Sequence, residues 1–185
     1  EMVKTGHEVK LIAPQYVRPF VRRQKNDAAD AEAIVIAAQR PEMTFVGTKD
    51  EDQQASAVLF RSRERLIQQR TVAVNALRSI LYEFGHVVPP GIRNIRRIEE
   101  ILADESSDLP SLVRSECLDI IAQIQEQTAR IEAKTKTAKE LASKDDIARR
   151  LQTIPGVGPL TALAVETFAP EMSTFKGGRN FAAWL

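Results

Sequence analysis

Across residues 50–84 the chain carries neither proline nor glycine, and this uninterrupted stretch limits its fold more than any other feature. Leu59, Leu66, Ala73, Leu77, Ile80 and Phe84 recur at threes, fours and sevens, the spacing that keeps one face of a helix apolar. One long amphipathic helix is predicted, with Gly85 as its C-terminal stop. Residues 86–91 hold two prolines and read as a turn, and a shorter helix is expected over about 94–103. Pro110 then opens a second long helix that runs to about Ser143. Its seam is Val113, Cys117, Ile120, Ile124, Gln127, Ile131, Lys134, Ala138 and Leu141, alternating steps of four and three as in a heptad. Gln127 and Lys134 weaken that stripe. Each long helix spans roughly 50 Å at about 1.5 Å per residue, too long to be buried in a globule of this size. The expected fold is mainly α. An antiparallel helical hairpin, or coiled coil, projects from a small α/β piece, with its seam completed within or between subunits.

A chain of 185 residues with 43% hydrophobic and 28% charged residues is neither disordered nor membrane-spanning, and no apolar run approaches the ~18 residues a membrane helix needs. Cys117 stands alone and falls at an apolar helix position, which suits a packed thiol in a reducing cytoplasm. His7 and His86 have no metal-ligand spacing and receive no role. Net charge is only +1, but it is unevenly placed. Residues 53–98 hold eight arginines against Glu64 and Glu83, a local balance of +6, whereas residues 99–108 carry five carboxylates and no base. Arg61, Arg65, Arg93, Arg96 and Arg97 are candidates for a polyanion-facing surface, the alternative being a solvated helix face.

The stretch Leu151-Gln152-Thr153-Ile154-Pro155-Gly156-Val157-Gly158-Pro159-Leu160-Thr161-Ala162 carries the sharpest chemical signal. A short helix ends at Ile154, a turn follows, and a second helix starts at Pro159, whose missing N–H falls where it would be unpaired in any case. Gly156 and Gly158 allow positive φ and close approach by another molecule. The N–H groups opening the second helix, Thr161 included, then suit a phosphate oxygen. That is a helix-hairpin-helix grip on the nucleic-acid backbone. A tight turn between helices with no ligand is the alternative.

Towards the N-terminus, Val9-Lys10-Leu11-Ile12 and Phe45-Val46-Gly47 read as short strands, and Pro14 and Pro19 bracket an extended loop. Asn26 or Asp27 is expected to cap a helix whose body is residues 28–39, stopped by Pro41. Asp27 and Asp30, three residues apart, present adjacent carboxylates in its first turn, with small alanines around them. Two hard oxygen ligands with room for water and a substrate phosphate suit Mg²⁺. The alternative is that the acids merely complement the helix dipole.

Three motifs in order, Ile12-Ala13-Pro14-Gln15-Tyr16-Val17, Lys25-Asn26-Asp27-Ala28-Ala29-Asp30-Ala31 and Ile154-Pro155-Gly156-Val157-Gly158-Pro159, make the chain resemble the DEDD transposases of bacterial insertion sequences. Within these it is most similar to the insertion sequence one-ten family, which includes the bridge-RNA-guided recombinases. The resemblance runs from about Val3 to Leu185. It implies a RuvC-like piece over 1–49, a coiled-coil region over 50–144, and a helix-hairpin-helix opening a C-terminal transposase domain over 145–185. It also implies DNA as partner, with a guide RNA in the members that use one, assembly into a homo-oligomer, and a bacterial, nucleoid-associated location in the cytoplasm. Asp27 and Asp30 match the third and fourth acids of the DEDD set, and Mg²⁺ is the implied cofactor. The first two acids and the nucleophilic serine have no match here, since Ser173 comes too early and lacks the family's flanking glycines. Both ends of the chain read as cut, so an interior, catalytically inert fragment of a recombinase is expected. Two other readings remain at this point: a non-catalytic nucleic-acid-binding or scaffold protein, and a resolvase-like nuclease.

Overall fold

The computed structural model of the chain describes residues 2, 5–21, 26–43 and 45–184. Lys25 of the second motif and both limits of the resemblance, Val3 and Leu185, lie outside them. The described residues are mainly helical. They divide into two compact units, one over 54–167 and the other made of the described residues up to Gln53 together with those from Phe168 onward.

In the first unit the two long helices form as the pattern predicts, α3 over Glu51–Glu83 and α5 over Ser111–Lys144. Asp50 starts α3 with a reciprocal capping box. Its carboxylate accepts the Gln53 N–H at 2.7 Å, while the Gln53 side chain accepts the Asp50 N–H at 3.2 Å. Gly85, at φ +82°, ends it. The His86 N–H reaches the Leu81 carbonyl at 2.9 Å and the Gly85 N–H that of Tyr82 at 3.0 Å, which is the Schellman arrangement.

Two hydrogen bonds fix how these helices pair. Arg63 Nε donates to Thr135 Oγ1 at 2.9 Å, and Arg70 Nη1 donates to Thr128 Oγ1 at 3.2 Å. A seven-residue step forward on α3 is matched by a seven-residue step back on α5, so the helices run antiparallel. Each threonine gives its own proton to the carbonyl one turn back, Ile124 at 2.8 Å and Ile131 at 2.7 Å, and keeps lone pairs for the arginine. Val74, Leu77 and Leu81 of α3 join Cys117, Ile121 and Ile124 of α5 in one buried cluster. Ile98 and Leu102 of the short helix α4 (Ile95–Ala103) complete it.

The packed face of α5 is wider than the expected seam. Cys117, Ile124, Ile131 and Ala138 are buried as the heptad predicts, and Val113 and Ile120 pack against the core, but Ile121 and Ala142 are buried too and Thr128 and Thr135 join the half-buried positions. The expected Ile120, Gln127 and Lys134 are half-buried beside them, and Leu141 is 38% exposed. A step of three and a step of four both satisfy apolar spacing. The choice falls to the partner, whose arginines turn two threonines into good seam residues. Ile124 and Ile131 are buried within the chain itself.

At the far end Arg114 holds the link between α4 and α5, donating to the Leu102 carbonyl, to the Asp104 carbonyl at 3.0 Å and to Ser107 Oγ at 2.8 Å. At the other end one residue both ends and starts a helix. The Asp145 N–H closes α5 onto Leu141 at 3.1 Å, and its carboxylate accepts the Ala148 N–H at 2.6 Å to cap α6 (Asp146–Leu151).

The second unit departs from expectation. The two short strands reduce to one antiparallel bridge between Leu11 and Val46, with no strand among the described residues. A pair this short has no third strand on which to build a ladder. Nor is the proline-bracketed segment extended. Pro14 opens the helical turn α1 (Pro14–Val17), and a 3₁₀ turn follows over Arg18–Phe20, because each proline fits the first positions of a helix. Helix α2 spans Asp27–Ala38 and buries Ala33 and Ala37.

Leu77 is fully buried and Leu118 is 50% exposed. Leu77→Ala is therefore expected to lower the unfolding free energy in urea by about 2–5 kcal/mol, and Leu118→Ala by no more than about 0.5 kcal/mol. Hydrogen bonds from the Ser106 hydroxyl (2.6 Å) and amide (2.9 Å) hold the Asp104 carboxyl below its ordinary pKa of 3.8, Arg114 adding to the effect. The stabilisation from this pair is full above the ordinary value and is lost as pH falls through the lower, folded one. An NMR titration of the Ser106 amide should show that low midpoint, and Asp104→Asn should abolish the step.

Candidate nucleic-acid interface

Helices α6 and α7 (Pro159–Phe168) are joined by the glycine turn and are held by small side chains. Ala148, Ala162 and Leu163 pack on Ala138 and Ala142 of α5, flanked by Leu59, Phe60 and Val157. Alanine at these contacts lets the short helices lie close to the long pair, so the turn is presented from a rigid base. Pro155 and Gly156 form the centre of a turn closed by the Val157 N–H on the Ile154 carbonyl at 3.0 Å. Gly156 has φ +88°, the conformation that glycine adopts without strain at the third position of such a turn. The first bond of α7 runs from the Ala162 N–H to the Gly158 carbonyl at 2.9 Å. The N–H groups of Gly158, Leu160 and Thr161 have no partner among the described residues, and Gly158 and Thr161 are exposed. An exposed row of orphan donors at a helix start attracts an oxyanion.

The arginines divide by what they touch. Arg63, Arg70, Arg78 and Arg114 are engaged in internal bonds, Arg78 through Nε to the Val88 carbonyl at 2.8 Å. Of the five candidates, Arg61 reaches only the Ala57 carbonyl of its own helix (3.2 Å), and Arg96 pairs with Glu100 at 3.3 Å. Arg65, Arg93 and Arg97 have no such partner among the described residues and are exposed. The structure does not gather the five. Arg61 and Arg65 lie on α3, whereas Arg93 precedes α4 and Arg96 and Arg97 stand on it, the chain there having turned back so that Gly91 and Ile92 lie against Arg70, Thr71 and Val74. The acidic run 99–108 is partly absorbed locally, with Glu99 accepting from Gln125 at 3.3 Å and Asp104 forming a turn.

On α2 the cap is Asn26, whose side chain accepts the Ala29 N–H at 2.8 Å. Asp27 and Asp30 are thus free of capping. Both are exposed, and neither carboxylate has a hydrogen-bond or ion-pair partner among the described residues. Asp30 edges a cavity of about 850 Å³ whose walls include Leu11, Val17, Arg18, Ile34 and Phe45. Among the described residues no third acid, histidine or cysteine joins these two in a metal-binding group. Sequence reading passed over a second, polar cavity in this unit, where Gln15 and Tyr16 of the first motif face Lys176 and Asn180. No spacing rule links positions so far apart.

A transposase family model of the DEDD type matches residues 2–85, the part that contains both aspartates. A second, described as the transposase IS116/IS110/IS902 family, matches residues 148–185, the part that contains the glycine turn. The chain belongs to the IS110 family of transposases. Curated relatives agree. It is 44% identical over 184 residues to "Putative transposase y4pF/y4sB" of Sinorhizobium fredii, covering 97% of this chain and 46% of that protein. It is 42% identical over 180 residues to the transposase for insertion sequence element IS1328 of Yersinia enterocolitica, covering 96% and 53%. A third, the transposase for insertion sequence element IS1111A of Coxiella burnetii, is 33% identical over 181 residues, covering 97% and 50%. The chain spans about half the length of these family members. No solved structure matches it. No helix among its described residues is long and apolar enough to cross a membrane.

The two glycines separate fold from ligand. A side chain at Gly156 is strained by its positive φ, whereas an added Cβ at Gly158 meets nothing within 4 Å and has no such φ. Gly158→Ala should leave thermal unfolding unchanged yet weaken duplex DNA binding, read by fluorescence anisotropy. Gly156→Ala should lower stability by about 1 kcal/mol.

Proposed function

We propose that this chain is the nucleic-acid-binding and assembly portion of an insertion-sequence transposase, contributing two acids to its catalytic centre. The observation that carries the reading is the exposed glycine turn, where unpartnered N–H groups open a helix in the segment matched to the IS116/IS110/IS902 family. Backbone donors of this kind hold phosphate without reading sequence, and the exposed guanidinium groups of Arg61, Arg65, Arg93, Arg96 and Arg97 add the long-range attraction. DNA is the proposed ligand, and a guide RNA offers the same phosphate chemistry. Binding should weaken steeply from low to physiological salt, through counterion release. A flat salt titration would count against it.

The acids fit the implied metal in part. Asp27 and Asp30 are exposed and have no partner among the described residues, the cap being supplied by Asn26, so their oxygens are open to Mg²⁺. They fill only part of the coordination sphere of such an ion. When bound, the ion supplies polarisation of a phosphodiester for in-line displacement. The residues around α2 are proposed to belong to a RuvC-like domain, and the α3–α5 pair to act as a coiled-coil arm.

Self-association belongs to the same reading. Its support is the outer groove of the helix pair, about 430 Å³, where exposed Val72 lies beside Ala76, Ile120 and Gln127. A second copy of this arm is the proposed occupant, since its apolar and amide groups match those of the groove. Sedimentation at micromolar concentration should show a dimer or larger species, and Val72→Glu should shift it to monomer.

In the full-length transposase, Asp27→Asn or Asp30→Asn should lower strand transfer by orders of magnitude and leave DNA binding intact. Near-normal recombination in either variant would reduce the pair to acids that complement the dipole of α2.

A further inference from the structure

We propose that the cavity formed by Gln15, Tyr16, Thr174, Phe175, Lys176 and Asn180 holds one nucleotide of a single nucleic-acid strand, its phosphodiester on Lys176 and its base against the aromatic rings. The inference rests on the nucleic-acid reading above, but on different residues. It lies within the unit built from the N-terminal segment and the residues from Phe168 onward.

The cavity measures about 580 Å³, inside the roughly 300–1,000 Å³ range of small-ligand sites. Its chemistry selects an anion. Among the described residues Lys176 is the charged group that lines it, and no carboxylate does. Lys176 makes no ion pair among the described residues, and the side-chain amides of Gln15 and Asn180 and the Tyr16 hydroxyl have no hydrogen-bond partner there. Thr174 differs, since its hydroxyl already donates to the Glu171 carbonyl at 2.6 Å and retains only acceptor capacity. One cation, two amides and a phenol, all uncommitted, converge on one space. A phosphodiester accepts from each of these donors.

The aromatic part selects the strand. Phe175 is braced edge-to-face by Phe181, ring centroids 5.3 Å apart at 77°, so its ring is fixed before any ligand arrives. Tyr16 is exposed beside it. Rings stack on bases that have left a duplex, and they do so with little regard to sequence. The lining residues are largely solvent-exposed, which suits a segment of polymer passing through rather than an enclosed small molecule.

The test compares the 185-residue chain with Tyr16→Ala and Lys176→Gln, both changes at exposed positions. Fluorescence anisotropy follows labelled oligothymidylate, oligouridylate and a blunt DNA duplex. Tyr16→Ala should weaken strand binding about tenfold and leave the duplex unchanged. Lys176→Gln should reduce the slope of log affinity against log salt by about 0.7 for the strand. Tighter binding of the deoxy- or the ribo-oligonucleotide then identifies which strand the cavity takes. Wild-type strand affinity in both variants, or equal losses on strand and duplex, overturns the proposal. If duplex binding still falls with Gly158→Ala in that case, the broader nucleic-acid reading survives. If the unaltered chain binds neither strand nor duplex, both fall together.

Discussion

The pairing of two arginines with two threonines across the long helices sets the register on which the rest of the first unit depends. Apolar contacts alone would let α3 slide along α5, because leucine and isoleucine fit one another at several offsets. Arg63 and Arg70 meet Thr135 and Thr128 at one offset only. At that offset Leu77 and Leu81 meet Ile121 and Cys117 at one end, and Phe60 packs beside Ala138 at the other. The small side chains at the second end then make room for α6 and α7. A slip of one helical turn would separate Arg63 and Arg70 from these two acceptors and lose both hydrogen bonds.

This use of arginine changes how the charge of the chain is understood. A count of eight arginines in 53–98 suggests a continuous basic face. In the folded chain Arg63, Arg70 and Arg78 turn inward to threonine hydroxyls and a backbone carbonyl, and so serve register and turn geometry. What remains outside is divided between α3, which carries Arg61 and Arg65, and the α4 segment, which carries Arg93, Arg96 and Arg97. At the glycine turn the donors without a partner among the described residues are backbone N–H groups that open α7, rather than side chains.

Much of this was legible in the sequence because it is local. Freedom from proline and glycine over 50–84, Gly85 as a stop and the Pro155-Gly156 turn each depend on residues a few positions apart. The helix predicted from Asn26 and its alanine-rich body also formed where expected, with Asn26 as the cap. Family membership followed from three short motifs for the same reason, since each is a contiguous string whose chemistry is complete within itself.

Tertiary structure decided what depends on partners distant in the chain. It added Ile121, Thr128, Thr135 and Ala142 to the packed face of α5 and left Leu141 exposed, because heptad spacing leaves two adjacent stripes open and only the facing helix settles how each is used. It replaced two expected strands with a single Leu11–Val46 bridge, because β-propensity becomes a sheet only where further strands accept the ladder. It also brought Gln15 and Tyr16 to Lys176 and Asn180 across most of the chain length, a juxtaposition that no local pattern encodes. Sequence alone determined helices, caps and turns, whose hydrogen bonds close within a few residues. The fold determined register, charge use and cavities, which exist only once distant residues share the same space.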